Sequence, residues 1–154
     1  MKTTKKVIDI LNKMLREELT AINQYIVHAE MAEDWGYSAF HEIEEHTAID
    51  EMKHAEALIA RILFLGGKPI VSELDKISIG KNITEMLRND HLMEGGAVVS
   101  YNEAIQAVAA ENDAATKQFL EEILAQEEKH LDWFEEQIGQ IEQMGLPYYL
   151  TTIK

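Results

Sequence analysis

The sequence predicts an all-α fold: a four-helix bundle with one long crossover and a short fifth helix at the C-terminus. Three observations carry that expectation. Apolar residues recur at steps of three, four and seven through four stretches of about 28 residues each, the spacing of one buried helix face. The chain's two prolines, Pro69 and Pro147, both stand where other signals already break the pattern. The breaks run short, long, short, and that order sets the topology.

The first helix covers about 5–34, with Leu11, Leu15, Ile22, Tyr25 and Ala29 on one face, and ends near Trp35-Gly36. Ser38 is expected to cap the second, with Glu42 near capping-box reach. That helix turns Phe40, Thr47, Leu58, Ile62 and Leu65 inward until Gly66-Gly67 stops it. Residues 67–81 have no helical period and read as a connection. A third helix spans about 82–111, with Leu87, Val98, Tyr101, Ile105 and Val108 in register. Asp113 is placed to cap the fourth, about 114–144, which aligns Leu120, Ile123, Phe134, Ile138 and Ile141. Gly145 ends it, and Pro147 suits the first turn of a fifth piece reaching about Ile153.

Each long helix measures roughly 42 Å at 1.5 Å rise per residue. The turns near 35–37 and 112–113 are too short for anything but antiparallel neighbours. The middle connection spans at most about 50 Å when extended, enough to run the length of the bundle, so helices two and three can be parallel. Residues 1–154 read as one domain.

Twenty-eight acidic residues against 14 basic ones give a net charge of −14 with histidine neutral. Nucleic acid and anionic membrane repel such a chain, and a cation is the natural complement. There is no cysteine, which removes disulfides, thiolate nucleophiles, iron–sulfur clusters and thiolate zinc sites. Any metal must be held by Asp, Glu, His or Met. Lys2, Lys5 and Lys6 imitate the start of a signal peptide, but Asp9, Asn12, Lys13 and Arg16 interrupt the apolar run behind them. No stretch is long and apolar enough to span a bilayer, so the cytoplasm is the expected compartment.

Each apolar stripe is interrupted by ligand-type residues: Glu18 on helix one, Glu51 and His54 on helix two, Glu94 on helix three, Glu127 and His130 on helix four. Each glutamate falls 12 or 13 residues into its helix as bounded above, so all six side chains converge at mid-height whichever way the helices run. The halves repeat. Glu18 to Glu51 and Glu94 to Glu127 are both 33 residues, and Glu51–His54 and Glu127–His130 are both Glu-x-Lys-His. Tyr25 and Tyr101 each follow their half's first glutamate by seven. A 76-residue shift thus superposes six ligands and two tyrosines, as a pseudo-two-fold site requires. Carboxylates on apolar faces cost several kcal/mol each unless paired or metal-bound, and two divalent cations come close to neutralising four of them. A sulfur-free set of carboxylates and imidazoles suits iron or manganese, with zinc as a competitor. A carboxylate from each of two helices and Glu-x-x-His from each of the other two is the ligand set of di-iron and di-manganese bundles.

With these residues the chain closely resembles bacterioferritin, the haem-containing branch of the ferritins, over essentially its whole length. The resemblance implies a ferroxidase centre at Glu18, Glu51, His54, Glu94, Glu127 and His130, with Glu51 and Glu127 bridging two irons. His130 favours this branch, because haem-free ferritins usually lack the second histidine. Rubrerythrin shares the double Glu-x-x-His, but its rubredoxin part needs cysteines. Met52 points about 100° away from the core in helix two. The resemblance makes it an axial ligand of a b-type haem shared by two copies, in a pocket lined by Leu19, Ile22, Asn23 and Ile49; interface filling is the alternative. His46 and Asp50 match residues that hold a further iron on the cavity side in some bacterioferritins, an ordinary solvated pair being the alternative. Tyr25 is placed to donate an electron or a hydrogen bond near the centre, and Trp133 sits beside His130; core packing accounts for either equally well. His28, His41 and His91 read as surface or interface residues.

The implied activity is oxidation of Fe²⁺ to Fe³⁺ by O₂ or H₂O₂ and mineralisation inside a 24-subunit homo-oligomeric cage, with haem passing electrons inward from a ferredoxin-type reductant. Two other functions stay open at this point: a di-iron or di-manganese oxidase or peroxidase without storage, and a haem-binding electron-transfer bundle.

Overall fold

The structure, a computed structural model, describes residues 3–154; Met1 and Lys2, the first of the three N-terminal lysines, lie outside it. Four long helices form: α1 (Lys5–Asp34), α2 (Ser38–Phe64), α3 (Ile83–Ala110) and α4 (Ala114–Met144). A short α5 (Leu146–Thr152), about two turns long, follows. No described helix is long and apolar enough to cross a membrane. Helix α1 packs along α2 and α3 along α4, and the two hairpins meet chiefly through α1 and α3.

The helix starts show what side-chain chemistry does locally. Thr4 accepts from Val7 N at 3.3 Å, Asn82 from Glu85 N at 2.9 Å and Asp113 from Thr116 N at 3.0 Å, each satisfying one of the free amides of a first turn. The expectation for Ser38 is wrong. Tyr37 occupies the cap position without any side-chain bond, and Ser38 is already helical. The stop between α1 and α2 is only Trp35 to Tyr37, with Gly36 at φ +83°, and its backbone amides bond back to Met31, Glu33 and Ala32. Such a closed turn leaves no extended residue from which a serine hydroxyl can cap.

The crossover between α2 and α3 is strapped to α1 by one polar residue per turn, at intervals of four. Asn12 donates to Lys68 O and accepts from Ile70 N; Arg16 bonds Asp75 at 2.9 Å; Thr20 Oγ1 accepts from Asp75 N at 2.9 Å; Gln24 Oε1 accepts from Ser78 N; His28 Nε2 accepts from Gly80 N at 3.0 Å. Residues four apart share a helix face, so this ladder lies along α1 and carries an extended chain from one end of the bundle to the other. Gly80 is required at its end. A Cβ there would stand 2.4 Å from Met86 N.

The core divides into two apolar clusters. One collects Leu11, Leu15, Leu58, Ile62, Ile105 and Leu120 near one end of the bundle. The other collects Tyr25, Phe40, Met86, Leu87 and Phe134, and is closed by Tyr149 and Ile153 of the C-terminal segment. Each long helix passes from one cluster to the other, and the four glutamates fall where it changes over.

Candidate metal centre

The six side chains singled out by the repeat come together between the two clusters. Glu18, Glu51, His54 and Glu127 offer ligand atoms within 4.8 Å of one another, and so do Glu51, Glu94, Glu127 and His130. Glu51 and Glu127 belong to both groups. The arrangement therefore has two adjacent foci, each with one private glutamate, one private histidine and two shared carboxylates. All four glutamates are at most 2% exposed.

Glu18 Oε2, Glu51 Oε1, Glu94 Oε2, Glu127 Oε2 and His130 Nδ1 are buried and have no hydrogen-bond partner. His130 Nδ1 comes within 3.0 Å of Glu51 Oε1, but without hydrogen-bond geometry. Buried polar atoms are normally satisfied, so five unpartnered ones aimed at common points need a cation. Oxygen and imidazole donors around two foci fit two divalent metals of the iron or manganese type.

Electrostatics points the same way. Burial first, then the neighbouring charges of Glu18, Glu127 and Glu94, push Glu51 well above the carboxylate range. Glu127 is pushed up by burial and by Glu18 and Glu94, against the pull of nearby His130 and of its 3.1 Å hydrogen bond with His54 Nδ1. Burial also acts upward on Glu18, but the close approach of His54, at 3.5 Å, and of Glu51 outweighs it and leaves that carboxyl below its ordinary value. Burial opposes the charged form of His54, yet Glu127 and Glu18 raise it to about 10; Glu127 and Glu94 likewise raise His130 to about 11. Protons hold together a site that divalent cations would hold better.

Four further side chains orient the six. Tyr101 donates to Glu18 Oε1 at 2.5 Å, and Tyr25 donates to Glu94. Each tyrosine thus serves the glutamate of the other half, not the one seven residues before it. His54 Nε2 lies 2.7 Å from Gln126 Oε1, and His130 Nε2 lies 3.1 Å from Asp50 Oδ2. These bonds place each Nε2 hydrogen outward and turn both Nδ1 atoms to the foci.

The remaining sequence candidates lie outside the cluster. Met52 is 42% exposed, near Ile49 on the outer face of α2 and with Ile26 exposed on α1. His46 is on the surface, with Nδ1 3.5 Å from Asp50 Oδ2. A cavity of about 410 Å³ lined by His46, Asp50, His130, Trp133 and Phe134 leads from that surface to the His130 side of the centre. Tyr25 stacks on Phe134 at 5.9 Å, and Phe134 meets Trp133 edge-on at 5.1 Å, so an unbroken aromatic file links Glu94's partner to that cavity.

His28 corrects the sequence reading. It is wholly buried, not on the surface, because Asp90 of α3 lies 2.9 Å from its Nδ1 and Gly80 N donates to its Nε2. Glu44 and Asp90, which the sequence reading passed over, join it in a second buried group within 4.8 Å. Gly80's N–H requires the lone pair on Nε2, so the ring proton sits on Nδ1 against Asp90. That occupies the nitrogen a metal would need; His28, Asp90 and Gly80 form a hydrogen-bonded core network, with Glu44 buried beside it. Both acids stood at helical steps from the site residues, Glu44 seven before Glu51 and Asp90 four before Glu94. That spacing was the available signal.

A four-helix bundle with glutamates on all four helices and Glu-x-x-His on two defines a ferritin-like protein with a dinuclear type of carboxylate–histidine site. A family model described as a ferritin-like domain matches residues 8–144. The chain is 41% identical over 145 residues to a bacterioferritin of Rhodobacter capsulatus, covering 94% of this chain and 90% of that one. It is 38% identical over 148 residues to a bacterioferritin of Streptomyces coelicolor, covering 96% and 89%. It is also 40% identical to a bacterial ferritin of Synechocystis over 151 residues, 97% of both. The chain belongs to the bacterioferritin family.

Proposed function

We propose that this chain is an iron-storage protein with ferroxidase activity. Fe²⁺ is the substrate, held by Glu18 and His54 at one focus, by Glu94 and His130 at the other, and by Glu51 and Glu127 across both. Two Fe²⁺ give up one electron each to O₂ or H₂O₂, and the Fe³⁺ passes to a mineral inside a closed shell of 24 copies. The observation that carries the reading is the set of five buried polar atoms without hydrogen-bond partners, converging on two points. Family membership supports storage as the outcome of the chemistry.

The chain's own residues divide the work. Tyr101 and Tyr25 restrain the two outer carboxylates, Gln126 and Asp50 aim the two imidazoles, and the apolar clusters exclude water above and below. The cavity beside His46 and Asp50 gives iron a way in on the His130 side. Tyr25, backed by Phe134 and Trp133, is held in place as the donor to Glu94.

A b-type haem fits the outer face of α2. Met52 would hold the group through its thioether, from an exposed apolar surface that includes Ile49, and a second copy of the chain would offer the same residue. Such a haem would carry electrons for reductive iron release, from a ferredoxin-type reductant. The proposed setting for this work is the cytoplasm.

The test is aerobic addition of Fe²⁺ to the metal-free protein, followed by ferric absorbance. The expected course is a fast phase saturating at about two irons per chain, then slower growth. Glu94→Ala removes the fast phase. A single slow phase indifferent to Glu94→Ala would defeat the reading. A small oligomer that never loads beyond the fast phase would replace storage with a catalytic oxidase.

A further inference from the structure

Under the 76-residue shift that relates the two halves, the elements of the centre correspond as Glu18 with Glu94, Tyr25 with Tyr101, Glu51 with Glu127 and His54 with His130. The same shift takes Asp50 to Gln126. These two have the same task. Each immediately precedes a shared glutamate and hydrogen-bonds the histidine of the opposite helix: Asp50 on α2 bonds His130 on α4 at 3.1 Å, and Gln126 on α4 bonds His54 on α2 at 2.7 Å. Four outside side chains hydrogen-bond the six. The two tyrosines match, and the other two do not, one being an anion and the other a neutral amide.

The difference matters because an imidazole that gives its Nε2 hydrogen to a carboxylate is a stronger electron-pair donor at Nδ1 than one bonded to an amide oxygen. We propose, building on the reading of the site as two iron positions, that Asp50 and Gln126 are positioning residues that make those positions unequal, the one on His130 holding its divalent cation more tightly than the one on His54. Asp50 is 28% exposed, so solvent partly screens its charge. The expected inequality is therefore about tenfold, the lower end of what partners of metal-bound histidines contribute. The tighter position also adjoins the cavity beside His46 and Asp50, so the first cation to arrive stays nearest its way in.

The experiment is anaerobic titration of the metal-free full chain with Co²⁺, read by its visible absorption and by calorimetry. Asp50→Asn weakens the tighter step by about tenfold and leaves the other in place. Gln126→Glu, which restores a carboxylate in the same shape, strengthens the weaker step by about tenfold and leaves the tighter one in place. The double variant reverses the order of filling. Steps that stay put in both single variants overturn the proposal. Loss of one Co²⁺ per chain in Asp50→Asn also overturns it, making Asp50 a ligand in its own right. Co²⁺ binding that ignores Glu94→Ala is a different failure, that of the two-iron reading on which the proposal rests. Thermal melting of each variant separates a general loss of fold, which moves both steps together, from the selective shift expected here.

Discussion

Tyr101 Oη on α3 lies 2.5 Å from Glu18 Oε1 on α1, a hydrogen bond that spans 83 residues and ties the two halves of the chain together at the level of the centre. Its counterpart, from Tyr25 to Glu94, runs the opposite way between the same two helices. Burial pushes both phenols well above their ordinary range, with Glu18 acting next on Tyr101 and Glu94 on Tyr25, so each is a fixed donor at neutral pH. Tyr101→Phe leaves Glu18 Oε1 with no donor in a buried site. The metal-free protein should lose about 1–3 kcal/mol, the cost of an abandoned buried acceptor. A lower denaturant midpoint at fixed subunit concentration measures it. Tyr25→Phe should do the same for Glu94.

The sharing of Glu51 and Glu127 between the two foci sets a stoichiometric prediction. Glu18→Ala or Glu94→Ala should leave about one tightly bound divalent cation per chain, since each removes a private ligand from one focus. Glu51→Ala should abolish tight binding at both. Equilibrium dialysis against Zn²⁺ distinguishes these outcomes, and equal losses in all three variants would contradict the shared role.

Much of this centre was legible from spacing. The equal 33-residue intervals and the doubled Glu-x-x-His are linear features, and helix geometry turns each into a position at mid-height. Helix bounds were equally readable because α1 to α4 end at glycine, at cap residues or at short turns, and the limits seen differ from expectation by at most one residue. What spacing cannot carry is the pairing across helices. The tyrosines exchange partners because the phenol of α1 reaches across to α3, a fact of packing with no linear trace. His28 read as a surface residue for a related reason. The groups that satisfy it come from Asp90 and Gly80, 62 and 52 residues away, and neither marks His28 in its own neighbourhood. The ladder from Asn12 to His28 was visible as polar residues four apart, but only the crossover lying on it gives that face a purpose.

Loading the centre with metal should release protons. His54 and His130 are raised to about 10 and about 11, so both carry a proton at neutral pH that a cation on Nδ1 must displace; Glu51 is raised as well. Anaerobic Zn²⁺ addition in unbuffered solution at pH 7 should release on the order of two protons per chain. Metal affinity should accordingly rise with pH. The metal-free protein should behave in the opposite sense. Histidines raised on folding stabilise it fully below about pH 6.5, and that contribution is lost as pH rises through 10 and 11. Thermal melts with chelator and with Zn²⁺ should therefore diverge above pH 7, the chelated protein falling first.

Met52 follows Glu51 in sequence but turns to an exposed face of α2. Met52→Leu preserves that face and removes the thioether. On the haem proposal, the absorption of the bound group should vanish in this variant, while the fast phase of Fe²⁺ oxidation and the fold remain unchanged. Loss of the fast phase would link the two sites, and persistence of the spectrum would assign the axial ligands elsewhere.

Glu44 offers the last prediction. It is wholly buried beside Asp90, and neither of its carboxylate oxygens has a hydrogen-bond partner. Burial, then the charge of Asp90, push its carboxyl well above the ordinary range. A carboxyl raised on folding opposes stability increasingly as pH climbs from about 4.5 toward its folded value, because the unfolded chain ionises and the native one resists. Glu44→Gln keeps the shape, cannot ionise, and presents an amide N–H toward Asp90. The variant should match the parent near pH 4.5 and exceed it by about 1–3 kcal/mol near pH 8, the range for relieving an unsatisfied buried polar group. Paired denaturant curves at the two pH values decide it. A variant less stable than its parent at pH 8 would show that Glu44 is ionised and held by a positive charge, and the core network would then have to be redrawn around a cation.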